Sequence, residues 1–243
     1  MKRSAKKTSS GGKIVGILFA LLAVIVIVVG FLFFNPFGGK ASNTAKKTNG
    51  SSTSASSQTV KYEPSQEEKD YLKNRFDQLI AVNPEAIAYV YAPGTELDEP
   101  VVQTTDNETY LNKTFDGGNV PYLGTVFMDM DNKKDFSDRL TWLFGHARGS
   151  KVGDHRMFND VNFYDKQDYF DQHPYVVIET PERKYYYEAM CLVIVPETTA
   201  FYRTSFKDDK DFTTQLKKVY EDGQTKNPNI KIKASDKYLV LST

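Results

Sequence analysis

The segment Trp142-Leu143-Phe144-Gly145-His146 is an apolar, β-type run that ends in an imidazole, the side chain whose ordinary pKa best suits proton transfer near neutrality. Gly145 before it lets the ring emerge at a strand end, where a cleft can form. A second run, Tyr238-Leu239-Val240-Leu241-Ser242-Thr243, reads as a buried strand with a polar end. Two strands that each end in a reactive side chain can build a cysteine–histidine pair. Only the histidine half is present, because the sequence stops at Thr243, where a nucleophile is expected next.

The other reactive side chains read differently. His155 lies in the polar stretch Lys151–Arg156 and is expected in a solvated loop, and His173, before Pro174, in a turn. Cys191 sits among apolar neighbours in Tyr187–Val195, where burial raises a thiol's pKa and keeps it inert. The rival reading pairs Cys191 with one of the histidines as a different thiol enzyme. Asp129-Met130-Asp131-Asn132, with Asp135 and Asp138, lacks the glycine and final glutamate of an EF-hand loop. A solvated acidic turn is expected there, and no metal or cofactor.

The 243 residues carry 31 basic and 31 acidic side chains, and none of the usual nucleic-acid motifs occurs, so no nucleic-acid partner is expected. Pooling the chain hides a change of composition. Ile14–Phe34 holds no charged residue, and as a helix it would span ~30 Å, the thickness of a bilayer's hydrocarbon core. A cleaved signal peptide is the rival, but the run is long and ends in Phe31-Leu32-Phe33-Phe34 without small residues. Lys2, Arg3, Lys6, Lys7 and Lys13 precede it, which places the N-terminus in the cytoplasm and the bulk outside. The expected organisation is a basic tail (1–13), a transmembrane helix (14–34), a flexible stalk (35–61) and one folded domain (62–243). The stalk's Gly, Ser, Thr, Asn, Ala and Lys cannot offset ordering entropy by burial. A single cysteine excludes an intrachain disulfide, so the exported domain relies on its core.

Elements that must position the histidine follow from pattern. Ser65 and Glu68 have capping-box spacing, Leu72, Phe76, Leu79 and Ile80 give one apolar face, and Asn83-Pro84 closes the helix. Strands are expected near Ile87–Tyr91, Pro100–Gln103, Gly124–Met128, Thr141–Phe144, Tyr175–Thr180, Lys184–Val195 and Tyr238–Ser242. Lys210–Tyr220 is a late helix, with Phe212, Leu216, Val219 and Tyr220 on one side. Many short strands with few helices indicate a mainly β fold, a barrel or a sandwich.

Several motifs in order carry a resemblance. Asn83-Pro84-Glu85-Ala86-Ile87-Ala88-Tyr89-Val90, Glu99-Pro100-Val101-Val102-Gln103, Asp106-Asn107-Glu108-Thr109-Tyr110-Leu111, Gly124-Thr125-Val126-Phe127-Met128-Asp129, Phe144-Gly145-His146 and Arg156-Met157-Phe158 stand in that sequence. From Asn83 to Thr243 the chain resembles the class B sortases, cysteine transpeptidases of Gram-positive cell surfaces. The resemblance implies an eight-stranded β-barrel, its last strand missing here, with an N-terminal helix and one late helix. It implies cleavage of a sorting signal after threonine and transfer of the acyl group to an amine of peptidoglycan or a pilin. Partners would be surface proteins bearing sorting signals, and the enzyme would be a single-pass membrane protein with its catalytic domain outside.

By the same resemblance His146 protonates the leaving amine and deprotonates the incoming one. Asn107, Leu111, Phe144, Thr198, Tyr202, Ser242 and Thr243 fall where the family lines its substrate groove. Phe144 replaces a tyrosine and Val240 a threonine. The thiolate would follow Thr243, and an arginine that steadies the oxyanion would lie on one further strand. Residues 1–243 alone are therefore expected to be inactive in acyl transfer, the alternative being a degenerate sortase that acts as a surface binding protein. The strand Tyr238–Ser242 is expected to expose an unpaired edge.

Overall fold

The computed structural model describes residues 22–29, 62–147, 156–196 and 201–243, and for 22–29 the backbone path alone. The first helix, α1 (Gln66–Val82), begins where capping predicts. The Ser65 hydroxyl accepts from the Glu68 N–H at 3.1 Å, and the Glu68 carboxylate accepts the Tyr62 hydroxyl. Leu72 and Phe76 are buried, whereas Ile80 is largely exposed, so the docked face is narrower than the apolar spacing suggests. Asn83 ends the helix, its N–H on the Leu79 carbonyl at 2.8 Å. Arg75 reaches from α1 to the fully buried carboxylate of Glu179, which Lys184 pairs from the other side at 2.7 Å.

Among the described residues nine strands form one sheet, so a sandwich of two sheets does not apply. They are β1 (Leu22–Val29), β2 (Ala86–Tyr91), β3 (Asp98–Val102), β4 (Val126–Met128), β5 (Leu140–Phe144), β6 (Tyr175–Glu179), β7 (Lys184–Val195), β8 (Thr225–Lys226) and β9 (Lys237–Ser242). Their order is β1-β9-β5-β4-β3-β2-β6-β7-β8, and β1 also pairs with β7. That last pairing closes the sheet on itself, leaving β8 as a short appendage to β7. Two neighbouring pairs are parallel, β3 with β4 and β5 with β9; the rest are antiparallel.

Strand β9 shows why its sequence is continuously apolar. Leu239 and Leu241 pack into the core with Val126, Leu143 and Leu192, while Tyr238 and Val240 pack on the opposite face under α3 (Asp209–Asp222). Both faces are buried, so the period-two alternation of a half-exposed strand is lost. Each fully buried leucine contributes roughly 1.5–3 kcal/mol of apolar transfer. Helix α3 starts at Asp208, whose carboxylate accepts from the Asp211 N–H at 2.8 Å, and buries Phe212, Leu216 and Val219. A short helix, α2 (Gln167–Gln172), follows a 3₁₀ segment (Asn159–Asp165); periodicity predicts neither, because both are too short to display a repeat.

Two expectations meet a different arrangement in the described residues. Within Ile14–Phe34 the described residues, 22–29, form strand β1, antiparallel to both β9 and β7, and the rest of that run lies outside the described residues. Among the described residues no helix is long and apolar enough to cross a membrane. Residues 24 to 29 are all β-branched, which favours an extended backbone. It follows that the outer side of β9 is paired, and no open edge runs along Tyr238–Ser242.

Candidate active site

The parallel pairing of β5 and β9 brings the two chemistry-bearing strand ends together. Trp142 faces Val240, Leu143 faces Leu241 and Phe144 faces Ser242, and the ladder ends with the Gly145 N–H donating to the Ser242 carbonyl at 3.0 Å. Continued by two residues, this register sets His146 beside the position after Thr243. Gly145 is needed there for space: a Cβ would sit 3.0 Å from the Phe158 ring and 3.1 Å from a Val126 methyl.

The His146 ring is half-buried and its Nε2 lies 2.7 Å from the Leu111 carbonyl oxygen. A carbonyl only accepts, so Nε2 carries the proton and Nδ1 holds the lone pair of the neutral ring. Leu111 ends a 3₁₀ turn, Thr109–Leu111, and its carbonyl faces the side of Gly124 where a Cβ would project. Gly124 has φ +64, and a Cβ there would lie 2.2 Å from the Tyr110 carbonyl and 2.7 Å from that of Leu111. Only glycine permits both the left-handed backbone and this approach.

Beside the histidine lies an aromatic wall. Phe144 packs on Phe127 at 5.3 Å between centroids, on Trp142 at 6.2 Å and on Tyr202 at 6.2 Å. The Tyr202 hydroxyl donates to Asp129 Oδ2 at 2.6 Å, and burial together with that carboxylate pushes the phenol's pKa well above its usual value. Asn107 donates from Nδ2 to the same Oδ2 at 3.0 Å and accepts the Met130 N–H on Oδ1 at 2.9 Å. Asp129 is fully buried. This corrects in part the reading of Asp129-Met130-Asp131-Asn132 as a solvated turn: Met130 and Asp131 are exposed, but Asn132 is buried like Asp129, donating to the Leu140 carbonyl and accepting from the Trp142 N–H. Among the described residues no group of three or more His, Cys, Asp or Glu is placed to hold a metal.

The structure thus connects Asn107, Tyr202 and Phe144 through Asp129 and a tilted ring contact, joins Leu111 to His146, and sets Ser242 opposite Phe144. Ser242 is buried and its hydroxyl oxygen has no hydrogen-bond partner; Thr243 beside it is half-buried. Thr198 and His155 lie outside the described residues. His173 stands apart, its Nδ1 2.8 Å from the Tyr169 carbonyl and its ring on the Tyr169 ring at 4.1 Å. Cys191 is fully buried against α3, and burial pushes its thiol up to about 12, a state unsuited to nucleophilic attack.

Comparison with known proteins bears on the chain as a whole. The chain is 26% identical over 175 residues to sortase B of Staphylococcus aureus, covering 72% of this chain and 69% of that protein. It is 28% identical over 174 residues to sortase B of Listeria monocytogenes, covering 71% and 68%. The fold superposes on a Staphylococcus aureus sortase B–substrate complex with a TM-score of 0.64 and 25% identity, over 70% of this chain and 76% of that one. These likenesses support a class B sortase. No family model matches the chain. Its kind of enzyme is a cysteine transpeptidase, and the sortase fold here is the mainly β sheet described above, with α1 and α3 on its outside.

Proposed function

We propose that this sortase is anchored in the membrane by residues 14–34, cleaves a sorting signal after threonine and passes the acyl group to an amine of a wall precursor or pilin. The observation that carries the reading is the β5–β9 register, which sets His146 beside the position after Thr243. In this reading that position holds the cysteine. Its thiolate attacks the threonyl carbonyl, His146 protonates the departing amine, and the thioester is resolved by an incoming amine that His146 deprotonates. An arginine on the next strand steadies the oxyanion.

The slot between β7 and β9 supports the next part. A strand that follows β9 through a tight turn runs antiparallel to it, as β1 does in that slot. With the apolar run engaged in a bilayer, the slot is left to that strand. The two placements of residues 22–29 are exclusive.

The groove's lining follows from the same register. Ser242 offers a buried hydroxyl that a substrate amide can partner. Phe144 supplies an apolar wall without a hydroxyl, and Tyr202 cannot stand in for it, since its own is given to Asp129. The test is the protein carried through the strand after Thr243, incubated with threonine-containing sorting peptides and an amine. Cleavage after threonine with a new amide supports the reading; binding without cleavage points instead to a degenerate sortase that acts as a surface binding protein.

A further inference from the structure

The geometry points to Asp129 as a positioning residue that fastens the two walls of the groove to each other. This rests on the sortase reading for its purpose, though not for its geometry. One wall is the segment after β3, carrying Asn107 and Leu111; the other is the segment before α3, carrying Tyr202 and Arg203. These walls come from chain positions about a hundred residues apart, and one carboxylate oxygen serves both. Asp129 Oδ2 accepts from Asn107 Nδ2 at 3.0 Å and from the Tyr202 hydroxyl at 2.6 Å, while Oδ1 takes the Asp131 N–H at 2.8 Å. The carboxylate is fully buried, where an acceptor left without donors is costly and an acceptor of several is held in place.

The arrangement also decides what each wall residue can offer a substrate. Asn107 has its Oδ1 on the Met130 N–H and one Nδ2 hydrogen on Asp129, so a single N–H donor is left for a ligand. Tyr202 gives its only proton to Asp129, and its ring is then set edge-on to Trp142, 5.2 Å between centroids. Trp142 Nε1 donates in turn to the Arg203 carbonyl at 2.9 Å. The indole is thus held by the same wall that Asp129 latches.

Trp142 is the chain's single tryptophan and is buried, so its emission reports the latch without any ligand. The experiment compares acrylamide quenching of Trp142 in the full chain, Asp129→Asn, Tyr202→Phe and the double variant. Asn at 129 sets an amide nitrogen against either the donors of Asn107 and Tyr202 or the Asp131 N–H, and Phe at 202 keeps the ring but removes the proton. The expected result is a rise in the quenching constant of at least about twofold in each single variant, and no further rise in the double. Unchanged quenching in Tyr202→Phe, or additive effects, would overturn the latch, even if Asp129→Asn only melts earlier. A second reading of the same emission uses a peptide pool with one threonine fixed and the other positions randomised. Affinity at least about fivefold weaker in Asp129→Asn supports a role in the groove. A wild-type protein with the expected quenching but no response to peptide would keep the latch and sink its assignment to substrate binding.

Discussion

Phe144 stands opposite Ser242 in the parallel ladder between β5 and β9, the last of five pairs that keep one offset. Parallel strands point their C-terminal ends the same way, so residues that follow each strand leave the sheet side by side. This is how an imidazole nearly a hundred positions upstream comes to lie beside the end of β9. The Leu111 carbonyl then fixes which ring nitrogen carries the proton.

Gly124→Ala tests the backing of that carbonyl. The left-handed backbone and a Cβ 2.2 Å from the Tyr110 carbonyl together should cost about 2–4 kcal/mol. Gly117→Ala is the control, because Gly117 has φ +90 but nothing within 4 Å of a Cβ, and should cost only about 1–2 kcal/mol. Denaturant titration of both variants measures the difference. Equal losses would show that the close approach at Leu111 has no energetic weight.

Cys191 should resist modification until the fold opens. Its thiol lies against α3 with Sγ 3.9 Å from the Val219 carbonyl oxygen, and burial holds its pKa near about 12. At pH 8 a disulfide reagent should label it at least about a hundredfold more slowly in the folded chain than in denaturant. Rapid labelling of the native protein would revive Cys191 as a reactive thiol.

Acid should loosen the bond between the Tyr202 wall and α3. Arg203 makes a two-point contact with Asp211, at 2.9 and 2.6 Å, and that hydrogen-bonded pairing lowers the carboxyl to about 2. A carboxyl with a depressed native pKa adds stability that is complete above its unfolded value of about 3.9 and disappears as pH falls through the native one. The melting-temperature gap between wild type and Asp211→Asn should be constant above about pH 4.5 and close toward pH 2. A gap that persists at pH 2 would contradict the assignment.

Much of the fold was legible because the strands carry their own signals. Lys184–Val195 appears with the bounds that pattern predicts, and α1 begins at its cap. Strand β1 was not, since a run such as Leu22–Val29 is apolar enough for a bilayer and β-branched enough for a sheet, and sequence alone does not say which neighbour it meets. In the site, Asn107 and Tyr202 were legible as candidates through resemblance. The residue that joins them was not, because a buried Asp129 and a solvated one look alike until long-range donors are brought to it.

The most direct test of His146 is a single-turnover measurement on the protein carried through the strand after Thr243. Intact mass after mixing with a sorting peptide reads the acyl-enzyme, in wild type and in His146→Ala. General acid catalysis of this kind contributes about a hundred- to ten-thousandfold, so the variant should acylate slower by that factor while keeping its fold. Acylation of His146→Ala at the wild-type rate would contradict the placement of this imidazole at the reacting bond.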